Sequence, residues 1–172
     1  METAMSDLTA DRLRELLHYD ADTGVFRWAA SRGRKHCGGD IAGSPCGKGY
    51  LQIRVDRRLY KAHRLAWLHV NGSWPTRQID HIDGNKSNNA IANLREANHS
   101  QNGQNKRTVR PDSKSGMLGA YWSAEKSCWY SKIGVMGKYL YLGRFDSPEE
   151  AHAAYMKAKA ELHPFHVSGG EI

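Results

Sequence analysis

The sequence predicts an α+β protein, in which a small β-rich segment and a core of short strands and helices are followed by a three-stranded antiparallel sheet with one helix. Short segments with strand-like alternation, or with many aromatic and β-branched residues, occur along the chain and are separated by turns of glycine, asparagine and aspartate. Helical spacing of apolar residues is confined to a few stretches, one of them at 151–162. A length of 172 residues suits one compact domain or two to three small ones.

The overall charge is basic and limits the classes of partner. Lys and Arg total 25 against 18 Asp and Glu, which gives a net charge of +7 and a pI near 9.4. This balance favours nucleic acid or an anionic membrane as the partner. No apolar run reaches about 18 residues, which excludes a membrane span. The N-terminus lacks the basic and apolar regions of a secretory signal.

The cysteines predict a protein of a reducing compartment. The chain has three cysteines, an odd number, and no CxxC pair; they are Cys37, Cys46 and Cys128. We therefore expect neither a disulfide framework nor a four-cysteine zinc site. The expected location is the cytoplasm.

Residues 1–49 predict a helix followed by a basic segment of strand and loop. Thr9 is a suitable N-cap for a short helix with three leucines on one face, Leu13, Leu16 and Leu17. A turn at 20–24 and a strand at 25–28 follow. The glycine-rich stretch 31–49 is expected to be an irregular, basic surface loop. The sequence leaves open whether this segment extends a DNA surface or completes the core.

Residues 50–107 predict a second segment. Tyr50–Val55 alternates with period two and indicates a strand, with a partner strand at 59–63. A helix is expected at 64–70, ended by Asn71-Gly72. The remaining elements are a strand running into a turn at 78–85, a short strand at 93–95, and a helix that begins after Asn98 or Ser100 and extends to 107.

Residues 108–115 indicate a linker, 116–165 a small domain and 166–172 a tail. Strands rich in aromatic and β-branched residues are expected at 119–122, 128–135 and 139–145. A helix follows, with a capping box from Ser147 to Glu150. Period-two alternation places Ile133 on the face that packs against this helix, and Tyr130 and Lys132 on the opposite face.

A basic run extends from 27 to 64, with ten Lys and Arg against two Asp. It is either a solvated hairpin surface or a surface that contacts DNA phosphates. We favour the second interpretation because the whole chain is basic. The candidate DNA-binding residues in this run and after it are Arg54, Arg57, Arg58, Lys61, His63, Arg64, Lys106 and Arg107.

The Asp80-His81 pair is the candidate for chemistry. A carboxylate is a good ligand for a hard divalent cation, and a histidine titrates near neutrality and can take a proton from water. Neighbours on a strand point to opposite faces, so both reach one site only if the backbone bends there. Asn93 and Asn102 lie downstream and are able to supply amide oxygens, but spacing alone does not bring the four residues together.

Three strings of residues occur in the order and approximate spacing of a known family. They are 60–67, which contains His63-Arg64; 79–89, which reads IDHIDGNKSNN; and 93–95, which reads NLR. Together they resemble the HNH endonuclease family, and most of all its phage and intron-encoded homing type. The resemblance covers residues 50–107.

The resemblance implies a ββα-metal fold (HNH, His-Me finger) and a metal-dependent nuclease. Asp80 matches the acidic metal ligand, His81 the general base, and Asn102 the second metal ligand. Asn93 matches the central asparagine, which would tether the loop and orient the imidazole of the base, while His63 would be structural or face a phosphate. The implied cofactor is one Mg²⁺ or Mn²⁺ ion, without structural zinc, and the implied products carry a 5′-phosphate and a 3′-hydroxyl.

The C-terminal domain resembles a second family. GAYW at 119–122, WYSKI at 129–133, YLGRF at 141–145 and EEAHAAY at 149–155 are similar to an AP2 DNA-binding domain. This resemblance implies that the sheet, rather than the helix, enters the major groove of double-stranded DNA. Lys132 and Arg144 are the expected contacts to phosphate or base.

The favoured function is therefore a DNA endonuclease of phage or mobile-element type, with a C-terminal module that helps to select the site. The alternative is a catalytically silent DNA-binding regulator that uses the AP2-like domain, and an RNA-binding or structural phage protein is a third. A monomer is favoured and would nick one strand, whereas a symmetric dimer would cut both.

Overall fold

The structure is a computed structural model that describes residues 8–31, 37–105, 109 and 111–163, with the backbone alone at 99 and 100. By their contacts the residues form two compact units, Met1–Ala97 and Asn98–Ile172. The α+β class is confirmed, and the strands form several small antiparallel sheets. The finer division of the chain into 1–49, 50–107, 108–115, 116–165 and 166–172 stays a prediction.

The first unit combines short helices with small antiparallel sheets. In chain order its elements are α1 (Ala10–Leu16), β1 (Leu17–Tyr19), β2 (Phe26–Trp28), β3 (Ser44–Cys46), β4 (Tyr50–Val55), β5 (Arg58–Lys61), α2 (Ala62–Asn71), β6 (Gln78–His81) and β7 (Leu94–Ala97). β1 pairs with β2, β4 lies between β3 and β5, and β6 pairs with β7.

Helix α1 begins where the sequence predicts. The hydroxyl oxygen of Thr9 accepts a hydrogen bond from the backbone N–H of Arg12 at 3.2 Å, as an N-cap does. The sequence predicts that Leu17 belongs to this helix. Its backbone is extended, and it begins β1 instead. Leu13 and Leu17 are nevertheless both fully buried, so helix and strand contribute to the same core.

The β4–β5 hairpin has a two-residue turn. Val55 pairs with Arg58, which leaves Asp56 and Arg57 between the strands. Both turn residues have positive φ, 43° and 69°, and this backbone matches the twist of the flanking strands.

Two strand predictions are corrected by the structure. β5 ends at Lys61, so His63 lies in the first turn of α2 rather than in a strand. Ser44–Cys46 forms β3 within the predicted loop 31–49, where it pairs with β4. A three-residue strand without alternation leaves little local signal, and it forms because the edge of β4 offers backbone partners.

Helix α2 supplies the centre of the core. Leu65, Ala66 and Leu68 are at most 2% exposed, and the helix ends at Gly72, whose φ of 74° allows its N–H to donate to Leu68 O at 3.0 Å. The surrounding buried side chains come from the other elements of the unit: Leu13, Leu17, Phe26, Trp28, Ile53, Val55, Ile79 and Leu94.

The second unit places one helix on a three-stranded sheet. Its elements are α3 (His99–Gln104), β8 (Ala120–Ser123), β9 (Cys128–Val135), β10 (Lys138–Phe145) and α4 (Pro148–Leu162). The sheet is antiparallel in the order β10-β9-β8, and α4 packs on it. Ser131 and Ile133 are buried, so Ile133 lies on the helix side, as period two predicts.

The start of α4 differs slightly from the predicted capping box. Ser147 Oγ accepts from Glu150 N at 3.2 Å, as expected. The carboxylate of Glu150, however, accepts from Asp146 N at 3.2 Å, one residue before the N-cap.

In the part of the chain that the structure describes, no helix is long and apolar enough to cross a bilayer.

Replacing Leu65 with alanine should strongly destabilise the protein. The fully buried side chain would leave a cavity, which lowers the free energy of unfolding by about 2–5 kcal/mol. Urea denaturation followed by circular dichroism measures the loss. Leu59→Ala is the control, because Leu59 is 52% exposed. Its replacement should lower the free energy of unfolding by about 0.5 kcal/mol. Equal losses for the two variants would contradict the placement of α2 in the core.

Candidate active site

The ribbon of β6 and β7 carries the predicted catalytic pair. Its register places Asp80 opposite Arg95 and His81 opposite Leu94. His81 is the last residue of β6, and Gly84 N donates to its carbonyl oxygen at 3.0 Å. A backbone turn therefore begins after His81, whereas Asp80 and His81 are both within the strand, where neighbouring side chains point to opposite faces.

Asp80 is a buried carboxylate with a cationic partner. Only 7% of the residue is exposed, and Arg95 donates to Oδ2 through Nε at 3.1 Å and through Nη2 at 2.9 Å. Such charge-assisted bonds offset the cost of removing a carboxylate from water. Arg95 is not among the site residues that the sequence predicts, although it belongs to the NLR string.

The donor chemistry at Asp80 suits a hard cation that keeps much of its water. Mg²⁺ is usually held by one or two protein carboxylates, with water and substrate phosphates as further ligands, and Asp80 provides one such carboxylate. Within the described ranges, no group of three or more His, Cys, Asp or Glu is placed to hold a metal. The single carboxylate of Asp80 is a donor that fits an ion of this kind.

His81, the next residue of β6, has a buried imidazole. It is 4% exposed, and its Nε2 lies 3.3 Å from Asn89 Oδ1. Burial lowers the pKa of His81 below its usual value and outweighs the raising effects of Asn89, Asp83 and Asp80. The ring is thus neutral at neutral pH and able to accept a proton.

Asn93 ties the loop that follows β6 together. Its Oδ1 accepts from Asp83 N at 2.9 Å, and its Nδ2 donates to Asp83 Oδ1 and to Asn88 O, both at 2.9 Å. The imidazole of His81 is contacted instead by Asn89, which the sequence does not identify as a site residue. The only sequence signal for Asn89 is its place in the motif string, since the contact arises from the fold of the loop.

His63 packs against the ring of His81. Their ring centroids are 5.2 Å apart and nearly perpendicular, and Tyr50 lies 5.4 Å from His63. Burial, followed by the charges of His81, Arg64 and Lys61, lowers the pKa of His63 to about 4. Its buried Nδ1 has no hydrogen-bond partner among the residues that the structure describes. These contacts favour a structural role over contact with a phosphate.

Two lysines flank Tyr50 beside the base. Lys86 Nζ lies 5.2 Å and Lys61 Nζ 5.6 Å from the centroid of the Tyr50 ring, and Lys61 also donates to Cys46 Sγ at 2.8 Å. Tyr50 itself lies 6.0 Å from the ring of His81. Positive charge is therefore concentrated near the candidate base, and Lys86 is a further residue that the sequence does not predict.

The other basic candidates of the first unit have varied surroundings. Arg54 and Arg57 are exposed and Arg58 is half-buried, while Arg64 stacks over Trp74 at 5.6 Å. Lys106 and Arg107 lie outside the described residues.

Asn102, the predicted second metal ligand, lies in α3 of the second unit. The helix starts with a capping box, in which Asn98 Oδ1 accepts from Gln101 N at 2.9 Å and Gln101 Oε1 accepts from Asn98 N at 2.8 Å. Asn98 is therefore the N-cap rather than Ser100, and the helix ends at Gln104 instead of 107.

The sheet of the second unit has a polar aromatic surface opposite α4. Tyr130 and Lys132 alternate along β9 with the buried Ser131 and Ile133, and residues paired with them on the neighbouring strands lie on the same face. This tyrosine face consists of Tyr121, Tyr130, Lys132, Tyr139, Tyr141 and Arg144. Tyr130 stacks with Tyr121 at 5.5 Å and with Tyr141 at 6.4 Å. Lys132 Nζ lies 4.7 Å from the ring of Tyr139, within the range of a cation–π contact. Both predicted contact residues, Lys132 and Arg144, share this face.

Acidification should destabilise the protein through His63. The pKa of His63 is about 4 in the folded protein and about 6.5 in an unfolded chain, so the unfolded state binds more protons between these values. The stability present above about pH 6.5 is therefore lost as the pH falls towards 4. Urea denaturation near pH 7 and near pH 5 measures this loss. The free energy of unfolding of His63→Gln should depend less on pH than that of the wild type. An unchanged dependence would contradict the lowered pKa of His63.

The segment that holds these residues matches a known family. A family model described as HNH endonuclease matches residues 60–104, which include Asp80, His81, Asn93 and Asn102. Protein 3.8 of Escherichia phage T7 is 38% identical over 86 residues, which cover 48% of this chain and 70% of that protein. No solved structure matches significantly. The family model spans the whole candidate motif, and the phage protein is related over most of its own length. The chain therefore belongs to the HNH endonuclease family.

Proposed function

We propose that the protein is a metal-dependent endonuclease that hydrolyses phosphodiester bonds of double-stranded DNA, with His81 as the general base. The environment of His81 carries the proposal. Its imidazole is buried and bonded to Asn89, and it directly follows Asp80 in the segment that matches the HNH family. A neutral base and a potential metal ligand are what attack by an activated water requires.

In the proposed reaction, His81 takes a proton from water while the water oxygen attacks phosphorus. The bond from phosphorus to the 3′ oxygen breaks, and that oxygen takes a proton from solvent, which leaves a 5′-phosphate and a 3′-hydroxyl. When bound, one Mg²⁺ or Mn²⁺ ion supplies charge stabilisation at the phosphate and at the leaving oxygen. Asp80 would hold the ion, and Asn102 is retained as a second ligand on the family resemblance alone.

Lys61 and Lys86 are proposed to bind a DNA phosphate next to the base. Both ammonium groups lie within 6 Å of the Tyr50 ring, and that ring is close to His81. A cation here would attract the backbone that carries the scissile bond. The exposed Arg54 and Arg57 would extend the same electrostatic attraction along β4 and its turn.

The second unit is proposed to act as an AP2-like module that assists site recognition. The support is the tyrosine face, on which Lys132 and Arg144 lie among four tyrosines opposite the helix. The residues that match the HNH model end at 104, so this part of the proposal rests on the sheet alone. Aromatic rings and cations on one open sheet surface suit contact with bases and phosphates.

The Asp80–Arg95 ion pair favours a second candidate function. A carboxylate that is already engaged by a guanidinium is compatible with a catalytically silent scaffold. The protein would then be a DNA-binding regulator that binds through the tyrosine face. This alternative predicts DNA binding without cleavage under any metal condition.

His81→Ala should abolish cleavage while DNA binding is retained. General acid–base catalysis contributes about 10²–10⁴-fold, so the rate of nicking or linearisation of supercoiled plasmid and source genomic DNA with Mg²⁺ or Mn²⁺ should fall by that factor. EDTA should stop the wild-type reaction. The ratio of nicked to linear product reports whether one strand or two are cut.

His18→Ala is the matched control for this test, because His18 is exposed in β1 and should leave the rate unchanged. Cleavage by His81→Ala at the wild-type rate would refute the assignment of the base. Wild-type protein that binds its source DNA but cuts none of it in either metal would favour the regulator.

Lys132→Ala should weaken DNA binding. Loss of one phosphate contact lowers affinity and reduces the slope of log affinity against log salt by about 1. Fluorescence anisotropy with labelled duplex measures both, with His81→Ala as the background so that the DNA stays intact. Lys138→Ala is the control, since Lys138 is exposed on β10 opposite Val135 and outside the tyrosine face. Equal affinities for both variants would contradict DNA contact through that face.

A further inference from the structure

We propose that Asn89 is a positioning residue for His81, and that the N-terminal β1–β2 hairpin holds Asn89 in place. The inference rests on the proposed function, because it concerns the residue assigned as the base. It gives a role to Tyr19, Ala21 and Gly24 of the N-terminal segment, whose contribution the sequence leaves open. Three sets of contacts connect the imidazole to the amide, the amide to its loop, and the loop to the hairpin.

The first contact determines which nitrogen of His81 carries the proton. Asn89 Nδ2 donates to Ser87 O at 3.1 Å, and a carbonyl oxygen only accepts, so the amide NH₂ must point to Ser87. Oδ1 then points to His81 Nε2 at 3.3 Å and can only accept. The proton therefore lies on Nε2, and Nδ1 keeps the lone pair that a general base needs.

The second contact concerns the burial of Asn89. The residue is 1% exposed, which shields its amide from bulk solvent, and both ends of the amide are bonded within the protein. A buried amide with two partners has one orientation. Asn89 is therefore suited to hold the imidazole ring in one rotamer as well as in one tautomer.

The third set of contacts joins the loop to the hairpin. Tyr19 Oη donates to Asn89 O at 2.7 Å, and Ile91 N donates to Ala21 O at 3.0 Å. Gly24, at φ 72°, lies so close that a Cβ there would collide with the backbone of Asn89 and Ala90. The hairpin thus touches the loop at a hydroxyl, at a carbonyl and at a glycine that has no room for a side chain.

Tyr19 is well suited to this contact. Its ring packs on Phe26 with centroids 4.6 Å apart, and burial raises the pKa of its hydroxyl to about 12. The hydroxyl therefore keeps its proton and remains a donor to Asn89 O. Since Phe26 is 2% exposed, the donor is anchored in the hydrophobic core.

The test combines kinetics with a direct readout of the His81 tautomer. The variants are Asn89→Leu, which removes the acceptor at similar volume; Asn89→Asp, which keeps an acceptor; and Tyr19→Phe, which removes only the hydroxyl. Asn71→Leu and Tyr60→Phe are the controls: Asn71 is exposed and Tyr60 half-buried. Each full-length protein is assayed for thermal stability, DNA affinity, single-turnover cleavage and the ¹⁵N shifts of the His81 ring.

We expect a protonated Nε2 in the wild type and in Asn89→Asp. Asn89→Leu should lose this signature and cleave about 10–100-fold more slowly, with unchanged DNA affinity, and Asn89→Asp should recover part of the rate. Tyr19→Phe should slow cleavage by a smaller factor, and both controls should match the wild type. If Asn89→Leu does not fold, the wild-type ring shifts and the other two variants decide the matter.

A proton on Nδ1 in the wild type, or wild-type cleavage by folded Asn89→Leu, would overturn the role of Asn89. Unchanged cleavage and ring shifts in Tyr19→Phe would overturn the role of the hairpin. The ring shifts require no catalysis, so a wild type that fails to cut DNA would refute the proposed function without deciding this inference. Loss of cleavage in His81→Ala with full activity in Asn89→Leu would leave the function standing and refute the inference.

Discussion

The burial of two polar side chains at the end of β6 is the constraint on which the first unit depends. An unpaired buried polar group costs about 1–3 kcal/mol, and an unpaired charge costs more. Arg95 donates hydrogen bonds to Asp80 from the opposite strand of the ribbon, and Asn89 contacts the ring of His81 from the loop that follows. The register of β6 on β7 and the shape of the loop are therefore both conditions for burying this one dipeptide.

The loop between β6 and β7 keeps its shape largely through side chains. Aspartate and asparagine readily bond backbone groups two residues on, and Asp83 Oδ1 accepts from Asn85 N at 2.8 Å while Asn85 Oδ1 accepts from Ser87 N at 3.1 Å. Asn93 closes the series at Asp83. The asparagine-rich string is thus a structural requirement, and this explains why the whole string indicates the site while an isolated Asp-His pair does not.

The sequence predicts elements best where the signal is local. β4 and β9 have the predicted bounds, because their alternation extends over several residues, and Thr9 and Ser147 cap the helices as expected. β1 and β3 are missed because three-residue strands exist only through their pairing partners. In the site, the motif predicts Asp80 and His81. The contacts of Asn89, Arg95 and Lys86 depend on how the loop and the ribbon fold, and no spacing rule reveals them.

The bracing of the loop also bears on what counts as the functional unit. The family match covers 60–104, but Tyr19, Ala21 and Gly24 reach the loop from a hairpin that precedes this match. A chain reduced to the matched residues would retain the carboxylate and the imidazole and lose the groups that hold Asn89. Because a displacement of about 1 Å in a catalytic group can cost about 10²-fold in rate, the presence of the motif residues is not sufficient for activity. On the proposed function, Tyr19, Ala21 and Gly24 therefore belong to the same functional unit as the motif.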